Sequence, residues 1–489
     1  MKRTSQALAE LAGFTRSALG AALRDRGDSS AVRFTQQSRL DAVFASARRT
    51  PLYRRKIPTT GGTLGDIEPM TKAELQADLS GSVAGGGLDR DALLRFVERE
   101  ENIGKLFDDR YIVAMTSGTT GAMGIFLHDL PSWALTRGVT FSRIFRDNWN
   151  PADAFRFMGY LRYRMSFVVA SGGHYMTFLL ASRLPKAAKV KFDANVFSVE
   201  QPIAELVRRL NAHAPHLLHS YPTVLELLCF EQREGRLRIQ PELITTGSEP
   251  LTASCRDAVQ SAFPQARLVE TYASTECVSM ATSCRFGNLH VNEDACILEP
   301  VNADGQPVEL DVLGDHVWVT NLLNTAQPIL RYELSDRVRL LSAPCSCGSP
   351  FRRIEVQGRS DDTFYLTDGE GNLQSHSPIP LELLFLRIPG LVQYQLIHEL
   401  QNELLVRYVT ESAVASTQVH AVLQRQLESY LTEHGLAGTV QVRFDEVDQI
   451  SRGATSKKVR QILSNVPRAG TGARPAHTFR RDLTPQRRE

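Results

Sequence analysis

Between residues 154 and 272 short apolar runs alternate with amphipathic segments, and this alternation limits the fold more than any other feature. Runs at 154–160, 190–196, 216–220, 243–246 and 267–272 read as strands. Residues 203–212, 223–234 and 252–263 repeat apolar positions at helical spacing, and 167–184 carries the turn Ser171-Gly-Gly-His174 ahead of another helix. Strands alternating with helices predict a largely parallel sheet covered by helices, so the fold class is α/β. Ligands of such sheets sit at the carboxyl ends of the strands. Those ends here are expected at Thr116-Ser117, Ser220-Tyr221, Gly247-Ser248-Glu249 and Tyr272-Ala-Ser-Thr-Glu276.

Upstream, Tyr111-Ile-Val-Ala-Met-Thr-Ser-Gly-Thr-Thr-Gly121 begins as an apolar run and breaks into a loop. That loop holds four hydroxyl residues, Thr116, Ser117, Thr119 and Thr120, and the glycines Gly118 and Gly121. Its N–H groups and hydroxyls suit a polyphosphate, and glycine permits close backbone approach. The same residues also suit an ordinary surface turn. Ile125–His128 reads as a returning strand, followed by a helix over 131–149. The loop is not of Walker type, because no Gly-Lys-Ser/Thr closes it and a strand follows it.

A chain of 489 residues predicts more than one domain. Its 42% hydrophobic and 22% charged residues are ordinary for a globular protein. A net charge of +2 offers no basic excess for nucleic acid, and no apolar run is long enough to span a bilayer. The first 33 residues carry Glu10 and Asp25 and no continuous apolar stretch, so they read as amphipathic helices rather than a targeting segment. Seven cysteines, an odd number, do not suggest a disulfide framework; a reducing cytoplasm is the expected location. The expected division is an N-terminal helical segment over 1–45, a large domain over 46–360 with a β-rich subdomain at about 285–356, and a small α+β domain over 361–465. Within the last, strands are expected over 391–409 and 439–444 and a helix over 415–434. Residues 466–489 form a basic tail expected to be disordered, either simply solvated or meeting a weak anionic partner.

Five motifs occur in a fixed order: Thr116-Ser-Gly-Thr-Thr-Gly121, Gly247-Ser-Glu-Pro250, Tyr272-Ala-Ser-Thr-Glu276, Arg331-Tyr-Glu-Leu-Ser-Asp336 and Gly358-Arg-Ser-Asp361. In this order they resemble the core motifs of the adenylate-forming enzymes, the superfamily of acyl-CoA synthetases, carrier-protein adenylation domains and luciferases. Arg49-Thr-Pro-Leu-Tyr53, Ser220-Tyr-Pro222 and Cys345-Ser-Cys-Gly348 are most similar to the phenylacetate-CoA ligase and deazaflavin-coenzyme synthetase-like branch. The resemblance implies a large multi-layer domain and a small mobile C-terminal domain hinged at Asp361. It further implies ATP-dependent activation of a carboxylic acid, aromatic in this branch, through an acyl-adenylate, with coenzyme A as acceptor.

The residue types agree with those roles. Residues 116–121 would hold the β- and γ-phosphates, and Glu276 would offer a hard oxygen ligand to Mg²⁺. Thr275 would donate to the α-phosphate, and Asp336 would accept from ribose hydroxyls. Arg359 would add fixed charge. Gly247, Ser248, Glu249 and Tyr272 would complete the nucleotide site. A cap or turn for Asp336 and a surface ion pair for Arg359 remain alternatives. The family's lysine on the acyl phosphate falls in Ser456-Lys457-Lys-Val-Arg460, where spacing to Arg460 favours Lys457 over Lys458 and Ser replaces the usual Gly. Ala273 also stands in place of Gly, and Ala122-Met-Gly-Ile125 lacks a lysine common in other branches.

Candidate walls of the acyl pocket are His174, Tyr175, Ser220, Tyr221 and Tyr272, whose rings suit a flat substrate. His174 equally suits a turn or core position. Cys284, His290, Cys345 and Cys347 suit a tetrahedral structural Zn²⁺ site or, alternatively, three free thiols and a surface imidazole. Transfer to a carrier protein or an amine, AMP transfer to a cofactor hydroxyl, and a non-catalytic family member are the remaining readings. The oligomeric state is open, with a homodimer among its alternatives.

Overall fold

In the computed structural model the run at Tyr111 is not a strand of the parallel sheet, as expected from Thr116-Ser117 at its end, but the middle strand of a small antiparallel sheet formed by β1 (Leu106–Phe107), β2 (Tyr111–Met115) and β3 (Ile125–Asp129), because the chain returns directly as a hairpin. The structure describes every residue except 1, 26, 59–61, 117–123, 147–158, 172, 184–187, 200, 360–363, 372, 377–384, 386–387, 389, 411–412, 449, 451–461 and 465–489. Most of the strand expected at 154–160 therefore lies outside the described residues, as does the tail at 466–489.

The predicted alternation follows as β4 (Tyr163–Val169), β5 (Phe192–Ser198), β6 (Leu217–Ser220), β7 (Leu243–Gly247) and β8 (Arg267–Tyr272). These five pair in parallel, in the order β5-β4-β6-β7-β8. Helices Ile203–His213, Pro222–Arg233 and Ala253–Ala262 fall where expected, and their Leu206, Leu210, Leu225, Leu228 and Val259 pack together with Val168 and Ile244. The helix expected over 131–149 spans Leu130–Ile144.

Residues 285–356 contribute to two sheets. β9 (Ala281–Ser283), β10 (Leu289–Val291), β14 (Asp336–Leu341) and β15 (Arg353–Arg359) extend the parallel sheet to nine strands, in the order β14-β15-β10-β9-β8. β8, β9, β10 and β15 pair antiparallel. β11 (Cys296–Val301), β12 (His316–Asn321) and β13 (Ile329–Leu334) form a separate antiparallel sheet. Between these layers Val43, Leu52, Tyr53 and Met70 meet Met280, Val317 and Tyr332 in one buried cluster.

The N-terminal helix Lys2–Asp25 packs on Leu130–Ile144. Gly138 makes this possible: a Cβ there would lie 2.5 Å from Ser17 Cβ and 2.7 Å from the Phe14 carbonyl. Arg143, fully buried, anchors the pair. It contacts Asp25 and Asp294 at 2.6 Å each, and Arg24 reaches Asp294 at 2.7 Å. Burial alone would raise the Asp294 carboxyl, but Arg143, Arg39 and Arg24 hold it well below the usual carboxylate range.

The chain divides into two compact units, Met1–Gln357 and a second formed by Gly358–Ala454 together with the strand at Ile462–Ser464. In the second, β18 (Leu391–Leu400) and β19 (Glu403–Thr410) form a long antiparallel pair flanked in parallel by β21 (Ile462–Ser464) and β20 (Gln441–Glu446). Helix Ala413–Glu433 contributes Val419, Leu423 and Leu427 to the core beneath that sheet. A hairpin of β16 (Phe364–Thr367) and β17 (Leu373–His376) completes the unit. Among the described residues no helix is long and apolar enough to cross a membrane.

Two consequences for stability follow. Arg143→Ala leaves two carboxylates buried without their main partner, so it should cost about 3–5 kcal/mol in urea denaturation; a loss within about 0.5 kcal/mol would contradict the anchor. His128 on β3 is 1% exposed, and burial depresses its pKa to about 4. The unfolded chain then binds a proton near pH 6.5 that the folded chain refuses until about pH 4. Its contribution is complete above pH 6.5 and declines through that window, by at most roughly 3 kcal/mol. His128→Gln should flatten stability between those limits, and an unchanged pH profile would count against it.

Candidate functional site

The parallel strands bring their carboxyl ends to one edge, and the chemistry-bearing residues cluster there. Gly247 closes β7. A Cβ at this position would lie 2.5 Å from Thr271 Oγ1 and 2.7 Å from the Thr271 carbonyl on β8, so a side chain would push the two strands apart. Ser248 follows at φ 68°, a left-handed conformation costly for a residue other than glycine. Glu249 turns back toward the preceding crossover. Its Oε2 accepts from Thr223 N at 3.2 Å and Thr223 Oγ1 at 2.9 Å, near the start of helix Pro222–Arg233, where the dipole favours an anion.

Tyr272 ends β8, and the chain then turns tightly. Ser274 Oγ accepts from Cys277 N at 3.1 Å, while Ser274 N donates to the Cys277 carbonyl at 3.0 Å. Thr275 and Glu276 occupy the tip of this turn. Glu276 is 7% exposed. Its Oε1 accepts from the Tyr332 hydroxyl at 3.1 Å, and its backbone carbonyl accepts from Asn321 Nδ2 at 2.8 Å. Tyr332, on β13, packs edge-on against Phe126 of β3 at 6.1 Å. A buried carboxylate is thereby aimed by three sheets at once. The sequence places Tyr332 inside the fourth motif, but its contact with Glu276 depends on a fold that local spacing does not reveal.

The hydroxyl-rich loop springs from the β2–β3 hairpin. Thr116 N donates to the Gly124 carbonyl at 2.9 Å, and Thr116 Oγ1 accepts from Gly124 N at 2.9 Å. Ser117, Gly118, Thr119, Thr120 and Gly121 lie outside the described residues. Met115 N donates to the His174 carbonyl at 2.7 Å, and Met115 forms a bridge with Tyr175. His174 Nδ1 lies 3.2 Å from the Val113 carbonyl. A carbonyl only accepts, so the proton sits on Nδ1 and Nε2 is left as an acceptor. Nε2 is buried without a partner among the described residues, and burial lowers the imidazole pKa.

Other candidates are committed to the scaffold. The Ser220 hydroxyl donates to the Val168 carbonyl at 2.9 Å. Tyr221 Oη accepts from Ala170 N at 3.1 Å, and burial pushes the phenol up to about 12. Arg331, at φ 43°, donates to the Gly65 and Ile67 carbonyls and lies 4.3 Å over the Trp318 ring. Asp336 opens β14 and Arg359 closes β15. The Arg359 side chain, Asp361, Lys457 and Lys458 lie outside the described residues.

A second cluster gathers around β10. Donor atoms of Cys284, His290, Cys345 and Cys347 all lie within 4.8 Å of one another. The Cys284 and Cys345 sulfurs are 3.9 Å apart, and Cys347 Sγ is 3.4 Å from His290 Nε2. A tetrahedral zinc ion with ligands at about 2.0–2.3 Å would separate its donors by roughly 3.5–3.8 Å, so these spacings fit one. His290 Nδ1 donates to the Phe351 carbonyl at 2.8 Å, which turns Nε2 toward the cysteines, as a ligating imidazole requires.

No family model matches the chain. Over 136 residues, 27% of its length, it is 28% identical to Protein CapK of Staphylococcus aureus. Over 197 residues, 37% of its length, it is 27% identical to a phenylacetate-coenzyme A ligase of Thermus thermophilus. These matches span 28% and 42% of the two relatives. Among solved structures, a 2-hydroxyisobutyryl-CoA ligase in the postadenylation state with 2-HIB-AMP superposes with a TM-score of 0.61 at 17% identity, covering 91% of this chain and 90% of that one. The same ligase with 2-HIB-AMP and CoA, in its thioesterification state, gives 0.53 at 19% identity over 90% and 91%. The chain thus shares the fold of this CoA ligase and, over the matched segments, is similar in sequence to Protein CapK and a phenylacetate-coenzyme A ligase, less than half of whose length it spans.

Proposed function

We propose that this protein activates a carboxylic acid with ATP through an acyl-adenylate and passes the acyl group to coenzyme A. The observation that carries the proposal is Glu276, a buried carboxylate held by Tyr332 at the end of β8, one strand from the close-approach Gly247. Such a site suits a nucleotide whose phosphates bring a cation. In this reading the acid's carboxylate oxygen attacks the α-phosphorus, and the bond to pyrophosphate breaks. The acceptor thiol, losing its proton, then attacks the acyl carbon and AMP leaves. No protein nucleophile is required; positioning and charge stabilisation supply the catalysis.

Residues 116–121 take the β- and γ-phosphates, and Thr275 donates to the α-phosphate. Glu276 would hold Mg²⁺, which neutralises phosphate charge when bound. Asp336 accepts from ribose hydroxyls, with Arg359 adding positive charge nearby. Lys457 stabilises charge at the α-phosphate and acyl phosphate, and Asp361 serves as the hinge. Glu249 acts through Thr223, fixing the loop after β7. The acid is aromatic in this reading, with His174, Tyr175 and Tyr272 as walls of its pocket and Tyr221 backing them from the scaffold. Zinc at Cys284, His290, Cys345 and Cys347 would clamp the residues before β15 to the β9–β10 hairpin.

ATP–pyrophosphate exchange with a panel of aryl and alkyl acids should respond most strongly to aryl acids. If ATP binds and no acid supports exchange, the activation reading fails. Exchange without CoA-dependent AMP release would assign a carrier protein or an amine as acceptor. Lys457→Ala should slow exchange by about 100-fold or more, comparable to losing one preorganised charge contact; near-normal exchange would move that role to Lys458 or elsewhere. Metal analysis should find about one zinc per chain, lost in C345S/C347S; a content well below one would leave the cluster as free thiols.

A further inference from the structure

The mechanism above makes no use of an open cleft of about 780 Å³ beside the β1–β2 hairpin. Its size falls within the range of small-molecule sites. Helix Arg90–Val97 and the segment after it supply Arg95 and Arg99 to one wall, and the hairpin turn supplies Arg110 from the other. All three guanidinium groups are exposed, and none forms an ion pair among the described residues. Arg110 lies 4.7 Å over the Tyr111 ring, which is itself only 4% exposed, so the exposed group of the pair is the Arg110 guanidinium. The turn that carries Arg110 is unusual: Asp108 and Asp109 stand consecutively at φ 52° and 47°. Aspartate tolerates that conformation better than most residues, and the turn fixes two carboxylates at the cleft rim. A third carboxylate, Asp89, is engaged in capping, accepting from Ala92 N at 3.0 Å.

We propose that this cleft binds a phosphorylated nucleoside at a site separate from the loop after β2. Phosphate groups would pair with Arg95 and Arg99, whose planar forks match phosphate oxygens. The base would stack on the exposed Arg110 guanidinium. Ribose hydroxyls or a base amino group would donate to Asp108 and Asp109. A purely anionic ligand would meet repulsion from those carboxylates, whereas a nucleotide offers donors to them and charge to the arginines. Phe96 places the cleft next to the acyl-pocket candidates: its ring lines the cleft and lies 5.5 Å from the His174 imidazole. The same ligand chemistry occurs in two sources, the nucleotide end of coenzyme A and a free nucleotide.

The probe is adenosine 3′,5′-bisphosphate, titrated calorimetrically into the full chain. It should bind saturably to the wild type and at least ten-fold more weakly to R95E/R99E, with R95K/R99K recovering part of the loss. R95Q/R99Q provides the same comparison if the charge reversal fails to fold. Displacement by coenzyme A would assign the acceptor as the natural source, and displacement by ATP alone would assign a free nucleotide; both support the site. No saturable binding, or equal affinity in the wild type and the glutamine variant, overturns it. The titration needs no turnover, so its failure is distinguishable from a failure of acid-dependent exchange.

Discussion

The hydrogen bond from Tyr332 to Glu276 ties together the elements on which the candidate site depends. It joins the turn after β8 to β13, and the edge-on contact between Tyr332 and Phe126 extends the link to β3. A carboxylate that is 7% exposed would be costly without such a partner. The phenol supplies the hydrogen bond, and Asn321 fixes the backbone beneath it. The orientation of Glu276 is therefore a property of three sheets, and a shift in any of them would move its oxygens.

Backbone constraint complements this anchoring. Gly247 brings β7 against Thr271, and Ser248 accepts a left-handed conformation directly afterward. Glu249 spends its carboxylate on Thr223, which leaves Glu276 as the motif carboxylate beside it proposed for the cation. The hairpin loop at Thr116 has no lysine between residues 116 and 125, so in the proposed reaction positive charge must come from elsewhere. Mg²⁺ at Glu276 and Lys457 from the distal part of the chain would fill that need.

The parallel strands β6, β7 and β8 and their helices were legible because each is a local pattern: a short apolar run, then a 3.6-residue period. β4 was not, since Tyr163–Val169 carries Arg164 and follows Arg162, which interrupt the apolar pattern. The attachment of β10, β14 and β15 to the parallel sheet escaped sequence reading because antiparallel pairing between β10 and β15 is set by distant residues, not by local composition. The four donors grouped by the cysteine and histidine spacing lie within 4.8 Å of one another. Arg143 was invisible as an anchor: it reads as one polar residue in a helix until Asp25 and Asp294 converge on it. Arg331 shares a motif with Asp336, yet its guanidinium is spent on carbonyls at Gly65 and Ile67.

In the proposed reaction the edge formed by Gly247, Glu276 and the Thr116 loop is the nucleotide site. A crystal structure with Mg²⁺ and a non-hydrolysable ATP analogue tests it most directly. Phosphate density against residues 116–121 and a metal ion coordinated by a Glu276 oxygen at about 2.1 Å are the expected result. A nucleotide bound elsewhere, with Glu276 still directed only at Tyr332, would contradict it.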